Sequence, residues 1–243
     1  NSTTRAGLSV GLDQTGMQVY DTDTDTVWYF NGLNWINGGN VISGTTTNST
    51  LRWNGSNWVE SVALTNDNTT VTATNDMVVN GSTLGRGSGN ISTNTALGIQ
   101  SLYSNTIGNY NIAVGNETLY SNTTGEDNTS IGVGALYSNT LANRNTAIGT
   151  EALYFNTTGS QNTANGRDAL AYNTIGYNNT AIGASTLINH TEGYNNTVIG
   201  FNTGRGITTG ANNTILGANV GGLAGGLSNN IIIADGAGNR RIN

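Results

Sequence analysis

The sequence predicts an all-β chain, a parallel β-solenoid or β-roll of 17-residue coils preceded by a small β-hairpin module. Three observations predict it. A 17-residue unit recurs from Asn94 to the end of the chain without once slipping. The 243 residues include 35 Gly and no Pro, and Asn, Thr and Ser fill much of the rest. These residues disfavour helix interiors and suit turns and β ladders. Charged residues make up 9% of the chain, against about a quarter in an average globular protein. A helical protein laced with surface ion pairs is excluded by that figure.

The N-terminal region comes first. Residues 17–20 and 26–30 are β-prone runs bracketing an Asp/Thr turn, and Asn31-Gly32 and Asn54-Gly55 are hairpin dipeptides. Around them WYFNGLNW (28–35) and RWNGSNW (52–58) repeat one pattern and hold all four tryptophans, Trp28, Trp35, Trp53 and Trp58. Residues 1–60 therefore read as an aromatic-rich β-hairpin cap or attachment module. Residues 61–93 read as a connector of short strands, and residues 94–243 as the roll.

Aligned on Asn94, the repeat runs NTALGIQSLYSNTIGNY, NIAVGNETLYSNTTGED, NTSIGVGALYSNTLANR and onward to a truncated copy at Asn230. The first column is Asn in every copy. The fifth is Gly from Gly98 to Gly217, and the ninth is Leu from Leu102 to Leu187, then Gly204 and Gly221. A unit this short accommodates two short strands and two turns, with glycines free to take φ > 0 where the chain reverses. Coils stacked at about 4.8 Å place like residues in ladders.

Column three is Ala or Ser in the early coils and becomes Val198, Ile215 and Ile232 where column nine shrinks to Gly. A volume exchange of this kind places both columns in one packed interior. Alternation along a strand then turns column four outward. Column four is Leu97, Val114, Ile131, Ile148, Asn165, Ile182, Ile199 and Leu216. An apolar ridge of that length is unusual on a soluble monomer, so the expected state is a homotrimer with this column as its seam. Asn165 interrupts the ridge, either as a polar rung of the kind that fixes register in a seam or as a tolerated defect.

These residues resemble two related groups. NTAIG followed by AL and a Gly-bearing turn is similar to the head repeats of YadA-type trimeric autotransporter adhesins, which form left-handed parallel β-rolls as trimers. The longer form NTAIGTEALYFNTTGSQNTA, from Asn145, resembles repeats of bacteriophage tail fibres and spikes. The closing SNNIIIADGAGNRRIN (228–243) resembles the stretch that precedes the intramolecular chaperone domain of endosialidase-type fibres. The segment GLSVGLDQTGMQVYDTDTDTVWYFNGLNW resembles phage and surface proteins associated with Bacteroidetes-like bacteria. The resemblance implies a virion-surface fibre or spike subunit that supports or mediates attachment to a bacterial surface. Its partners would be two further copies, other virion proteins and a surface glycan or protein receptor. It also implies either a mature trimer from which a chaperone has been cut or a sequence that ends at that border, and the start at Asn1 rather than Met fits a processed or excerpted product. An autotransporter adhesin head at the bacterial cell surface, an ice-binding solenoid and a glycan-degrading spike are the alternatives.

Composition bears on other classes. The net charge is −6, all eight basic residues are Arg, and no basic stripe is present to replace phosphate counterions. No apolar run approaches the ~18 residues that span a bilayer. No nucleic-acid partner and no membrane insertion are expected. With no Cys and no Lys, catalysis would fall to carboxylates. Glu151 and Asp168 share column seven on adjacent coils, at the ~5 Å separation of a retaining glycosidase pair. Gln100, Glu117, Gly134, Ser185 and Asn202 occupy the same column, which is the pattern of a solvated edge, so no enzyme activity is expected.

His190, the only histidine, stands in the column of Asn105, Asn122, Asn139, Asn156 and Asn173 and reads as a ladder substitution. Asp21, Asp23 and Asp25 mimic the start of an EF-hand loop, but Thr26 and Gly32 stand where Gly and Glu are required. GRGSG (85–89) lacks the GK[ST] of a phosphate loop. No metal or cofactor site follows. Tyr103, Tyr120, Tyr137 and Tyr154 form a structural aromatic column, whereas Tyr110, Tyr177 and Tyr194 lie in turn columns and are the candidate receptor contacts. The Thr column of Thr95 and of Thr129 to Thr214 is the feature an ice-binding face would show.

Overall fold

A computed structural model describes the backbone of residues 18–21, 26–30, 35–40, 49–53, 58–66, 71–73 and 76–242, with side chains over 76–241 apart from Val79. The chain divides into two compact units, residues 1–75 and 76–243. In the first, β1 (Gln18–Asp21), β2 (Thr26–Phe30) and β3 (Trp35–Asn40) form one antiparallel sheet. A second is made of β4 (Ser49–Trp53), β5 (Trp58–Asn66) and β6 (Val71–Ala73). The registers Phe30↔Trp35 and Trp53↔Trp58 close around the two Asn-Gly dipeptides. Those dipeptides, Asp23, Asp25 and the tryptophan side chains lie outside the described residues.

The second unit is one 12-stranded sheet. Its centre is parallel, from β9 (Thr95–Ile99) through β10 (Ile112–Val114), β11 (Thr129–Ile131), β12 (Thr146–Ile148) and β13 (Thr163–Asn165). It continues through β14 (Thr180–Ile182), β15 (Thr197–Ile199) and β16 (Thr214–Leu216) to β17 (Ile231–Ala234). Every neighbouring pair is in 17-residue register, as in Thr129↔Thr146 and Ile131↔Ile148. The fold is the parallel β-solenoid that the repeat predicts. Both ends of the ladder are covered by antiparallel strands: β7 (Met77–Val79) and β8 (Ser82–Gly85) on β9, and β18 (Arg240–Ile242) on β17. The open edges of the sheet are thereby moved from the parallel coils to the short antiparallel strands β7 and β18, and short edge strands template aggregation less than long ones.

One expectation is corrected. Each coil has a single regular strand, not two, and non-glycine residues make most of the reversals. Columns seven, nine and seventeen take left-handed backbone in coil after coil, as at Glu151 (φ 58), Leu153 (φ 53) and Arg144 (φ 58). With two left-handed residues so close together, the return wall cannot run extended. Backbone bonds between coils hold it instead, such as Leu136 N–H to Ala152 C=O at 3.0 Å and Thr140 N–H to Thr157 C=O at 3.1 Å.

The interior has an apolar and a polar half. Column-three Ala96 to Ala181 and column-nine Leu102 to Leu187 are fully buried together. The exchange of volume is direct: a Cβ added at Gly204 would lie 2.9 Å from Leu187 and 3.4 Å from Val198. The polar half consists of two buried Asn ladders. In column one, each Oδ1 accepts the next backbone N–H, as in Asn145 N to Asn128 Oδ1 at 3.0 Å. Column twelve links amide to amide, as in Asn139 Nδ2 to Asn122 Oδ1 at 2.8 Å. Both ladders donate to one carbonyl in column fifteen, so Gly159 C=O accepts from Asn145 and from Asn156, each at 2.9 Å. That shared acceptor ties the two sides of each coil and satisfies amides that would be costly to bury alone.

The GRGSG loop is an anion cradle already filled from within. Asp76 accepts from Arg86 N–H at 2.7 Å and Gly87 N–H at 2.6 Å. A Cβ at Gly85 would collide with the same carboxylate. Replacing Asp76 with Ala should weaken this end by about 1–3 kcal/mol, the scale of hydrogen bonds to a charged group. Faster amide exchange in β7 and β8 with unchanged protection in β12 would verify it; uniform protection would contradict the clamp.

Candidate functional site

Among the described residues the surface on offer is that of the outward columns, because the interior of the solenoid is filled. On the strand face, column four is a line of aliphatic side chains between 37 and 44% exposed from Leu97 to Leu216, with Val114 half-buried and Asn165 exposed as its polar rung. The parallel register places Ile148 beside Asn165 and Asn165 beside Ile182. Thr129, Thr146, Thr163, Thr180, Thr197 and Thr214 form the half-buried column next to it. One face thus presents a Thr row and an aliphatic row with no charge in either.

On the return wall, Tyr103, Tyr120, Tyr137 and Tyr154 stack with centroids 4.9 to 5.1 Å apart and planes within 6°. The stripe then shifts one column. Tyr154 meets Phe155 edge-on at 4.7 Å, and Phe155 stacks on Tyr172 at 5.1 Å. Sequence columns show the four tyrosines but not this step, which joins six rings into one surface stripe. Since each inner ring has its faces against its neighbours, edges and hydroxyls are what it offers to solvent. Burial, with the negative charge of Glu151 and Glu117 nearby, raises the Tyr154 phenol above its ordinary value.

Of the three turn tyrosines, Tyr177 and Tyr194 stack on each other at 5.1 Å and are exposed. Tyr110 is exposed in column seventeen with φ 55, apart from that pair. Beside the pair runs a surface amide ladder, Asn178 to Asn195 and Asn195 to Asn212, each at 3.2 Å. Glu151 is exposed, whereas Asp168 is engaged by Arg167 at 2.6 Å. Asp168 is thus tied to its chain neighbour, and each carboxylate sits on a left-handed corner of its coil.

His190 is fully buried at the foot of the column-twelve ladder. Neither ring nitrogen has a hydrogen-bond partner among the described residues, and the same holds for Asn173 Oδ1 above it. Burial lowers the His190 pKa. Below it the column turns apolar, with Ile207 buried. The histidine ends the amide ladder and faces no open site.

No protein-family model, no curated protein and no solved structure matches the chain.

Proposed function

We propose that this chain is a structural subunit of a bacteriophage fibre or spike, working at the virion surface as a homotrimer and supporting or mediating attachment to the host bacterium. The carrying observation is the uncharged strand face, where seven of eight successive coils carry an aliphatic rung, six of them exposed, and the eighth carries Asn165. Contiguous apolar surface of this extent marks an interaction site. A face made of identical rungs in parallel register suits identical rungs on further copies. The antiparallel strands at each end stop the coil-on-coil stacking within this unit. Fold and repeat support the reading, and the resemblance to fibre repeats supplies its biological setting.

Light scattering on the purified chain tests it. A mass near three chains is expected, falling to one chain in Ile148→Arg, which puts three charges into the seam. A wild-type monomer would sink the trimer. A second reading then gains ground, because the Thr row beside the exposed aliphatic row also fits an ice-binding plane. Thermal hysteresis by that monomer would establish it.

A further inference from the structure

The return wall carries a second periodicity that the strand face lacks. Column fourteen is Ile107, Thr124, Leu141, Thr158 and Ile175 over the first five coils. The three aliphatic residues stand 34 residues, two coils, apart, and they are 67, 54 and 51% exposed. Apolar and hydroxyl rungs therefore alternate at every coil. The aromatic stripe from Tyr103 to Tyr172 occupies the same coils a few columns away, and column twelve between them points inward. Beyond those coils column fourteen becomes Glu192, Thr209 and Gly226, and column ten becomes Ile188 and Arg205, so both features stop together.

We propose that this wall binds a linear, neutral, β-linked polysaccharide lying along the solenoid axis, one sugar per coil. The reasons are geometric and chemical. Two coils rise about 10 Å, and an extended β-1,4-linked chain turns over at each sugar, so equivalent edges recur every second residue. Along one edge of such a chain the hydroxymethyl group of one sugar alternates with the pair of ring hydroxyls of the next, a two-sugar repeat that alternating Ile or Leu and Thr rungs match. Phenol hydroxyls donate and accept, and the stacked rings repeat them every 4.9 to 5.1 Å along the same direction. The ring faces are occupied by one another, so the tyrosines act here as a hydrogen-bonding row rather than as stacking platforms. Glu117, Glu151 and Glu192 lie on the same or adjoining coils, which disfavours an acidic polymer. A helical α-linked chain presents no such alternation. This assignment rests on the attachment reading for its biological purpose, but not for its chemistry.

The test is calorimetric titration of the full chain with cellopentaose, chitopentaose, cellobiose, maltopentaose and polygalacturonate. Binding of cellopentaose or chitopentaose is expected, with cellobiose at least tenfold weaker and no binding of the other two. The variant Ile107→Ser/Leu141→Ser/Ile175→Ser should lose at least tenfold in affinity while keeping its melting temperature, since all three side chains are largely exposed. If it fails to fold, Thr158→Ala and Tyr137→Phe replace it, each removing one hydroxyl; both should weaken binding. Binding that ignores linkage or chain length, or the absence of binding to both β-linked pentasaccharides, overturns the proposal. Adsorption to bacterial cells, measured in parallel, separates the two readings. Adsorption that persists undiminished in the triple variant overturns the glycan wall alone, while glycan binding without adsorption to any host overturns the attachment role alone.

Discussion

Gly149→Ala is expected to destabilise the solenoid by about 3–5 kcal/mol, the range of severe single-site lesions. The position combines two penalties. Its φ of 132° is one that side chains rarely adopt, and an added Cβ would lie 2.6 Å from the carbonyl carbon of Gly166 and 2.7 Å from its oxygen. Neither contact can relax by rotating a side chain, because both atoms are backbone held by the ladder bond from Gly166 N–H to Ile148 C=O at 2.8 Å. The same approach recurs from coil to coil, from Gly98 to the Gly115 oxygen and, at 2.5 Å, from Gly183 to the Gly200 oxygen. This explains a glycine column with no exception from Gly98 to Gly217. Column fifteen is a contrast: it is nearly all glycine yet admits Ala142 and Leu227.

A matched control isolates the stacking component. Gly81 also has positive φ (82°), but nothing lies within 4 Å of where its Cβ would sit. Gly81→Ala should cost only the left-handed backbone penalty, about 1–2 kcal/mol. Thermal melts of the two variants should therefore be well separated, with Gly149→Ala much the lower. Coincident melts would show that coil-to-coil contact at column five does not limit stability.

Much of this was written in the columns. The period gave the coil, the Asn columns gave the polar ladders, and the trade between column three and column nine placed the core. The left-handed corners were harder to read, because an isolated leucine disfavours that conformation; only closure of the coil imposes it on Leu102 to Leu187. A signal was nevertheless present. Column nine holds Leu and Gly but never Val, Ile or Thr, although column three of the same core takes Val198 and Ile215. Columns seven and seventeen avoid β-branched residues in the same way. Such residues are the least tolerant of positive φ, so their absence marks the corners. The Asp76 cradle and the step from Tyr154 to Phe155 left no columnar trace, since each joins residues that differ in column.

Acid should weaken this protein through His190, and His190→Asn should abolish that contribution. The folded imidazole is held neutral by burial, so its pKa lies below the ordinary 6.5, while an unfolded chain binds the proton freely. Stability from this group is thus complete above about pH 6.5 and is lost as pH falls toward the depressed folded value. The loss has a limiting slope of about 1.4 kcal/mol per pH unit, one proton's worth. At neutral pH the same substitution should add about 1–2 kcal/mol, the scale of satisfying buried polar groups. The introduced amide would donate to Asn173 Oδ1, continuing the ladder from Asn105, and two imidazole nitrogens would no longer be buried without partners. The gain is bounded because the new amide oxygen would face Ile207, moving the unsatisfied acceptor down one coil rather than removing it. Urea unfolding at pH 7.5 and 5.5 checks both halves. The difference between wild type and His190→Asn should widen by more than about half a kcal/mol on acidification. A constant difference would mean that protonation of the histidine is not coupled to unfolding, and that the coils open locally around it instead.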